Sequence, residues 1–142
     1  MAREMTRDET RAFLLDGTRT GKLATTQADG RPHVTPIWFV LNGDDVMWTT
    51  GESSLKAKAM RRDARVCMCV DDQAPPYSYV LVEGSATLSD DLEELRRWAT
   101  LIGGRYMGAD RADEFGARNA APGELLVRIT PRRVIARAAI AD

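Results

Sequence analysis

Residues 21–50 contain three short, half-apolar runs, GKLATTQ, RPHVTPIWFVL and VMWTT, separated only by Ala28-Asp29-Gly30 and by Asn42-Gly43-Asp44-Asp45. Both spacers are turn-forming, because glycine supplies positive φ and Asn or Asp bonds its own backbone. Strands joined this tightly pair antiparallel, so the segment predicts a three-strand meander within a sheet or barrel. Pro32 and Pro36 in the middle run have no N–H to give a ladder, which confines that run to an edge, a strand start or a bulge.

Helices flank this region. Thr6 and Glu9 form a T-x-x-E capping box ahead of Ala12, Phe13, Leu14 and Leu15, and Gly17 is placed to end that helix. SSLKAKAMRR reads as a second helix, ARVCMCVDD as a fourth strand, and YSYVLVEGSATLS as a fifth strand that bends at Gly84, with Gln73-Ala74-Pro75-Pro76 as a loop between the two strands. SDDLEELRRWATLIGG predicts a helix capped by Ser89, with Leu92, Leu95, Trp98, Ala99 and Ile102 on its apolar face. RYMGADRADEFGARNAAPGE reads as a further helical piece and a loop, and LLVRITPRRVIA as a closing strand. No repeat or linker divides the chain, so residues 1–142 are expected to form one domain. The expected fold is mainly β: a six-stranded antiparallel barrel that closes its own edges, with a few peripheral helices.

Twenty basic residues against twenty-one acidic ones give a net charge of −1, which argues against a general nucleic-acid or membrane-surface binder. Apolar runs such as Ile37–Leu41 are too short to span a membrane, and the charged N-terminus does not resemble a signal peptide, so a cytoplasmic location is expected. Cys67 and Cys69 are two apart in a strand, hence neighbours on one face, and are expected to be buried, inert thiols. With His33 the only histidine, no metal site is expected. The common nucleotide, hydrolase and zinc-protease motifs are absent, and His33 lacks an evident nucleophile or orienting carboxylate. No side chain is therefore expected to be catalytic, and an enzyme built on this chain would need a cofactor to supply the reactive atom. Trp38, Trp48, Tyr77 and Tyr79 offer planar faces for such a group, although aromatic residues in strands more often build cores or interfaces.

The stretch MWTTGESSLKAKAM contains two of the three lysines in a chain that otherwise uses arginine, Lys56 and Lys58. Lysine in the first turn of a helix opposes the helix dipole, and the other confident helices open with acids. A bound anion reverses that sign, because Ser54, the free N–H groups and Lys56 would then address one phosphate or carboxylate, with Thr49 and Thr50 extending the donors. The alternative is a solvated lysine on a surface helix.

The succession GKLATTQADGRPHVTPIWF, VMWTTGESSLKAKAMRRDARVCMCVDD and PPYSYVLVEGSATLS, covering about residues 8–137, resembles the split β-barrel superfamily of flavin- and deazaflavin-binding proteins related to pyridoxamine 5′-phosphate oxidase. RYMG (105–108) and NAAPGELLVRI (119–129) are similar to its coenzyme F420-dependent branch. The resemblance implies an FMN-binding type of split barrel, with phosphate held by Lys56 near Ser54 and Lys58. It also implies backbone at Val34, Thr35, Pro36 and Ile37 facing the cofactor ring, and Thr49 and Thr50 lining it. The same resemblance implies a homodimer with the cofactor at the subunit interface, closed by a partner loop carrying Tyr77. The implied activity is an oxidoreductase passing hydride from reduced F420 to an enone- or quinone-type acceptor. The alternatives are an FMN-dependent oxidoreductase on the same barrel, or a non-enzymatic binder of deazaflavin or haem. Vitamin-B6 oxidation is disfavoured, because no histidine follows His33 to complete that substrate site.

Overall fold

The computed structural model describes residues 1–142. The chain runs through β1 (Arg3–Glu4), α1 (Arg7–Leu15), β2 (Gly21–Thr26), β3 (Pro32–Ile37), β4 (Val40–Asn42), β5 (Asp45–Gly51), α2 (Leu55–Arg62), β6 (Arg65–Asp71), β7 (Tyr79–Ser89), α3 (Leu92–Met107), α4 (Ala112–Asn119) and β8 (Glu124–Ala138). A single 3-10 turn, Ala109–Arg111, precedes α4. Local chemistry sets several of these boundaries. The capping box forms as predicted, with Thr6 accepting from the Glu9 N–H and Glu9 accepting from the Thr6 N–H. Gly17 follows at φ 56°, where a side chain would be strained. For α3, however, the cap is Asp91 rather than Ser89. Asp91 Oδ1 accepts from the N–H groups of Glu93 and Glu94, while Ser89 accepts from the Asp91 N–H one step earlier.

The strands form one antiparallel sheet in the order β3-β2-β6-β7-β8-β5-β4, with β1 pairing β8 beside that path. Eight strands are present where about six were expected, and β1 and β4 are the short additions. The expected second strand is split, because Trp38 and Phe39 leave the ladder and separate β3 from β4. The predicted meander is therefore two hairpins, β2–β3 and β4–β5. β3, which carries both prolines, is an edge strand, as its missing donors require.

No hydrogen-bonded ladder joins β3 to β4, so the barrel does not close its edges as expected. The sheet nevertheless curls around one core: Leu23, Ile37, Phe39, Val46, Trp48, Met68, Val80, Val82 and Val127, from strands along its whole width and from the β3–β4 link, pack together in the same buried cluster. That is a split barrel. A second, smaller cluster, Met47, Leu95, Trp98 and Leu126, seats α3 on the other face of β5 and β8. The helix face was predicted correctly for Leu95, Trp98, Ala99 and Ile102, whereas Leu92 is 47% exposed.

The longest ladder, β7 with β8, bends where Gly84 was expected to bend it. Glu83 pairs with Arg133 and Gly84 with Pro131, which leaves Arg132 as an extra, unpaired residue. Gly84 is required there, since a Cβ would run into the Thr130 carbonyl. The extra residue also changes which positions face inward, from Val127 and Ile129 before the bulge to Val134 and Ala136 after it.

Candidate cofactor site

The end of β5 and the start of α2 gather part of the predicted set. Ser54 is the N-cap of α2, its Oγ accepting from the Ala57 N–H at 3.1 Å and sharing a 3.0 Å hydrogen bond with Thr50 Oγ1. Strand alternation separates the two threonines: Thr50 shares the inward face with Trp48, while Thr49 shares the face of Met47 that α3 covers. α2 has no acid in its first turn, unlike α1, α3 and α4, and carries Arg61 and Arg62 in its last. Lys56 is half-buried and Lys58 exposed, and neither makes an ion pair, whereas Lys22 is bound to Asp71 at 3.2 Å. Ala57, Ala59 and Met60 are buried beneath the helix, which packs against β2, where Arg62 donates to the Thr26 carbonyl.

On the neighbouring hairpin, β2–β3 register pairs Leu23 with Thr35 and Thr25 with His33. Buried polar atoms are normally hydrogen-bonded, and leaving one unmade costs about 1–3 kcal/mol. Thr25 Oγ1, His33 Nδ1 and Thr35 Oγ1 nevertheless have no partner, and neither does Trp48 Nε1 in the core. Thr35 is one of the four predicted ring-facing residues. Val34 and Pro36 point to the outer side of the barrel, Val34 being 61% exposed, and Ile37 is buried in the core. No carboxylate orients His33, so the arrangement of a general base is missing. Among the predicted aromatic faces, Trp48 is fully buried in the core, and Trp38 is already stacked on Tyr106, with ring centroids 5.1 Å apart.

Tyr77 lies apart from these groups. It follows a cis Pro75-Pro76 bond, has φ 63° and is 43% exposed. The loop adjoins Tyr79, at the opposite end of the β7–β8 ladder from Ser89 and Leu126, next to which β5 enters α2. Within one chain Tyr77 is not brought to Lys56.

The sequence pattern assigned no role to the clamp behind β3. Arg105, in the last turn of α3, donates to the carbonyls of Phe39 at 2.7 Å, Leu14 at 2.7 Å and Gly17 at 3.1 Å. Tyr106 Oη accepts from the Phe39 N–H at 3.2 Å and donates to the Arg19 carbonyl at 2.8 Å. Burial pushes the Arg105 pKa down and the Tyr106 pKa up from their ordinary values. Together they hold the break at Trp38-Phe39, and hence the exit of β3, in one position. The visible trace was RYMG itself, a cation and a phenol side by side where the helix ends.

Cys67 and Cys69 share a face as predicted, but they are half-buried rather than buried, because Val66, Met68 and Val70 take the inward positions of β6. Desolvation raises both thiols, with Glu83 adding to the effect at Cys67 and Asp71 at Cys69, which fits inert rather than reactive cysteines. No group of three or more His, Cys, Asp or Glu is placed to hold a metal ion, and no helix is long and apolar enough to cross a membrane.

The split antiparallel barrel, with unpaired polar groups at one hairpin and one helix start, defines the class of fold to which the chain belongs. Residues 6–138 match the pyridoxamine 5′-phosphate oxidase family, and the chain belongs to that family. A conserved hypothetical protein of Mycobacterium tuberculosis is 30% identical, with a TM-score of 0.83 over 93% of this chain and 84% of that one. An F420 reductase is 24% identical, with a TM-score of 0.67 over 87% of this chain and 94% of its own. An FAD-binding protein of Mesorhizobium loti is 22% identical, with a TM-score of 0.73 over 96% and 97%. The last two likenesses show the fold alone. No curated protein matches the sequence.

Proposed function

We propose that the protein is a coenzyme F420-dependent reductase acting on an electron-poor unsaturated small molecule of the enone or quinone type. The observation that carries this reading is the set of polar groups without partners around one hairpin and one helix start: Thr25 Oγ1, His33 Nδ1 and Thr35 Oγ1 on β2–β3, and unpaired Lys56 on the helix packed against it. A phosphate at the start of α2 would be held by Lys56, with Lys58 adding charge and the Ser54–Thr50 hydroxyl pair fixing the helix start. β3 pairs on one side only, so part of its backbone over Val34, Thr35, Pro36 and Ile37 is left to face a planar ring. The reduced deazaflavin, when bound, supplies hydride. The chain's own residues bind and orient it and exclude water, and no side chain serves as acid, base or nucleophile.

The same reading includes a homodimer. Register lines up Val34, Ala24 and Cys67 in one outward row, and Pro36, Lys22, Cys69 and Leu81 in the next. These rows are largely apolar, and a second barrel set against them would bring its own Tyr77 loop towards a site that this chain's Tyr77 does not reach.

The decisive experiment is fluorescence titration with oxidised F420 and, separately, with FMN at physiological salt. Micromolar or tighter binding of the deazaflavin, with weaker FMN binding, is expected. Preference for FMN would move the assignment to an FMN-dependent oxidoreductase, whose ribityl phosphate asks for the same donors. Binding of neither would return Lys56 and Lys58 to the solvated surface.

A further inference from the structure

The loop that carries Tyr77 owes its shape to a part of the chain far from it in sequence. Residues 73–77 are all exposed, so no buried side chain anchors them. Tyr77 itself has φ 63°, a left-handed conformation that a bulky residue keeps only where its surroundings impose it. Inside the loop, Asp72 Oδ1 accepts from the Ala74 N–H at 3.0 Å and the Ala74 carbonyl accepts from the Tyr77 N–H at 2.9 Å. These bonds close the turn and leave the carbonyls of Pro76 and Tyr77 without a partner.

The segment that follows β8 serves both. The β7–β8 ladder ends at the Tyr79–Arg137 pair, and Ala139, at φ 57°, turns the chain alongside the loop. Three successive N–H groups then meet three successive loop residues. Ala139 donates to Ser78 Oγ at 3.3 Å, Ile140 to the Tyr77 carbonyl at 2.8 Å and Ala141 to the Pro76 carbonyl at 2.9 Å. The Ile140 side chain is 42% exposed, so backbone bonds rather than burial fasten the segment to the loop.

We propose that residues 139–141 form a strap that positions Tyr77, so that in the dimer one subunit's strap sets cofactor affinity at the other's site. The inference rests on the homodimeric cofactor site proposed above. The strap acts through Tyr77 and has no contact of its own to make with the cofactor.

Hydrogen exchange of the full chain, together with fluorescence titration by F420 and by FMN, tests it. Ile140→Pro removes the donor to Tyr77, whereas Ile140→Ala keeps it. The proline variant should speed exchange at the Tyr77 amide and lower cofactor affinity about tenfold, as losing one anchoring aromatic does, while the thermal midpoint of the barrel stays unchanged. The alanine variant should match the unaltered protein in all three. Tyr77→Ala should lose as much affinity as Ile140→Pro, and the double variant no more than either single one, because both act on one contact. A strap that only tidied the chain would not give that non-additivity. Unchanged exchange in Ile140→Pro would overturn the strap whatever the cofactor does. Faster exchange with full affinity, equal losses in Ile140→Ala, or additive losses in the double variant would overturn its part in the site. Failure of the unaltered protein to bind either cofactor would instead overturn the site reading and this role with it, while the exchange contrast still decides the strap.

Discussion

The end of α3 and the start of α2 both set cationic side chains among polar groups, and they differ in whether those groups are satisfied within the chain. At the α3 end, Arg105 serves three carbonyls, and Tyr106 uses its hydroxyl once as donor and once as acceptor. At the α2 start, Lys56 and Lys58 have no acidic partner, and the adjoining hairpin leaves Thr25, His33 and Thr35 with unpaired buried atoms. A closed network spends its donors on holding the fold together. An open one leaves them free, and on the proposed reading, in which they hold the cofactor, α2 is the place where binding and stability part company.

Arg105→Ala should produce the largest change, since it strips partners from three carbonyls in one step. At about 1 kcal/mol or more for each, a loss on the order of 3 kcal/mol is expected in denaturant unfolding, with Arg105→Lys restoring only part of it. Tyr106→Phe keeps the stacking on Trp38 but leaves the Phe39 N–H and the Arg19 carbonyl unserved, for about 1–2 kcal/mol. Lys56→Ala should behave in the opposite way. Thermal stability should stay within about 0.5 kcal/mol or rise slightly as the dipole conflict is removed, while cofactor affinity falls about tenfold or more. A large loss of stability in Lys56→Ala, or of cofactor affinity alone in Arg105→Ala, would break the contrast.

Acid should give the smallest effect and separate a third region from both. Neither cluster depends on a carboxylate. Glu9, by contrast, is held at about 2 by its hydrogen bond to Arg3 and by the Thr6 N–H, and Asp63 is held at about 2 by Arg65. A depressed folded pKa means stabilisation that is fully present above the unfolded value and is lost as pH falls through the folded one. Stability should therefore decline from about pH 4.5 towards pH 2. Glu9→Gln should flatten part of that slope in circular-dichroism acid titration, loosening the N-terminal end of α1 while Arg105 still holds its C-terminal end.

What could be read from the sequence was the chemistry contained within a few residues. The Thr6–Glu9 box, the turn at Gly30, the edge imposed by Pro32 and Pro36 and the bend at Gly84 all emerge where expected. The break at Trp38-Phe39 could not be read, because its partners Arg105 and Tyr106 lie 66 and 67 residues away. β1 was equally hidden, as two residues become a strand only when β8 is there to pair them. Alternation placed the cysteines on one face without saying which face wins the core. Of the candidate site, Thr50 and Ser54 meet, with Lys56 two residues further on, because they are close in the chain. Tyr77 does not join them, since its distance is set by the length of the β7–β8 ladder.

The unpaired Arg132 has a consequence for how this chain can vary. A strand is read in a two-residue frame, and β8 carries a single insertion that shifts the frame between its halves, with Gly84 opposite as the residue that accommodates it. Deleting Arg132 alone would leave Val134 opposite Val82 and Ala136 opposite Val80 and would remove only the bend, whereas deleting one residue past the bulge, such as Ile135, would turn Ala136 outward. Length changes survive at the bulge and not elsewhere in this strand, so relatives that lack the extra residue should keep the same inward residues in one unbroken alternation and be released from glycine opposite it.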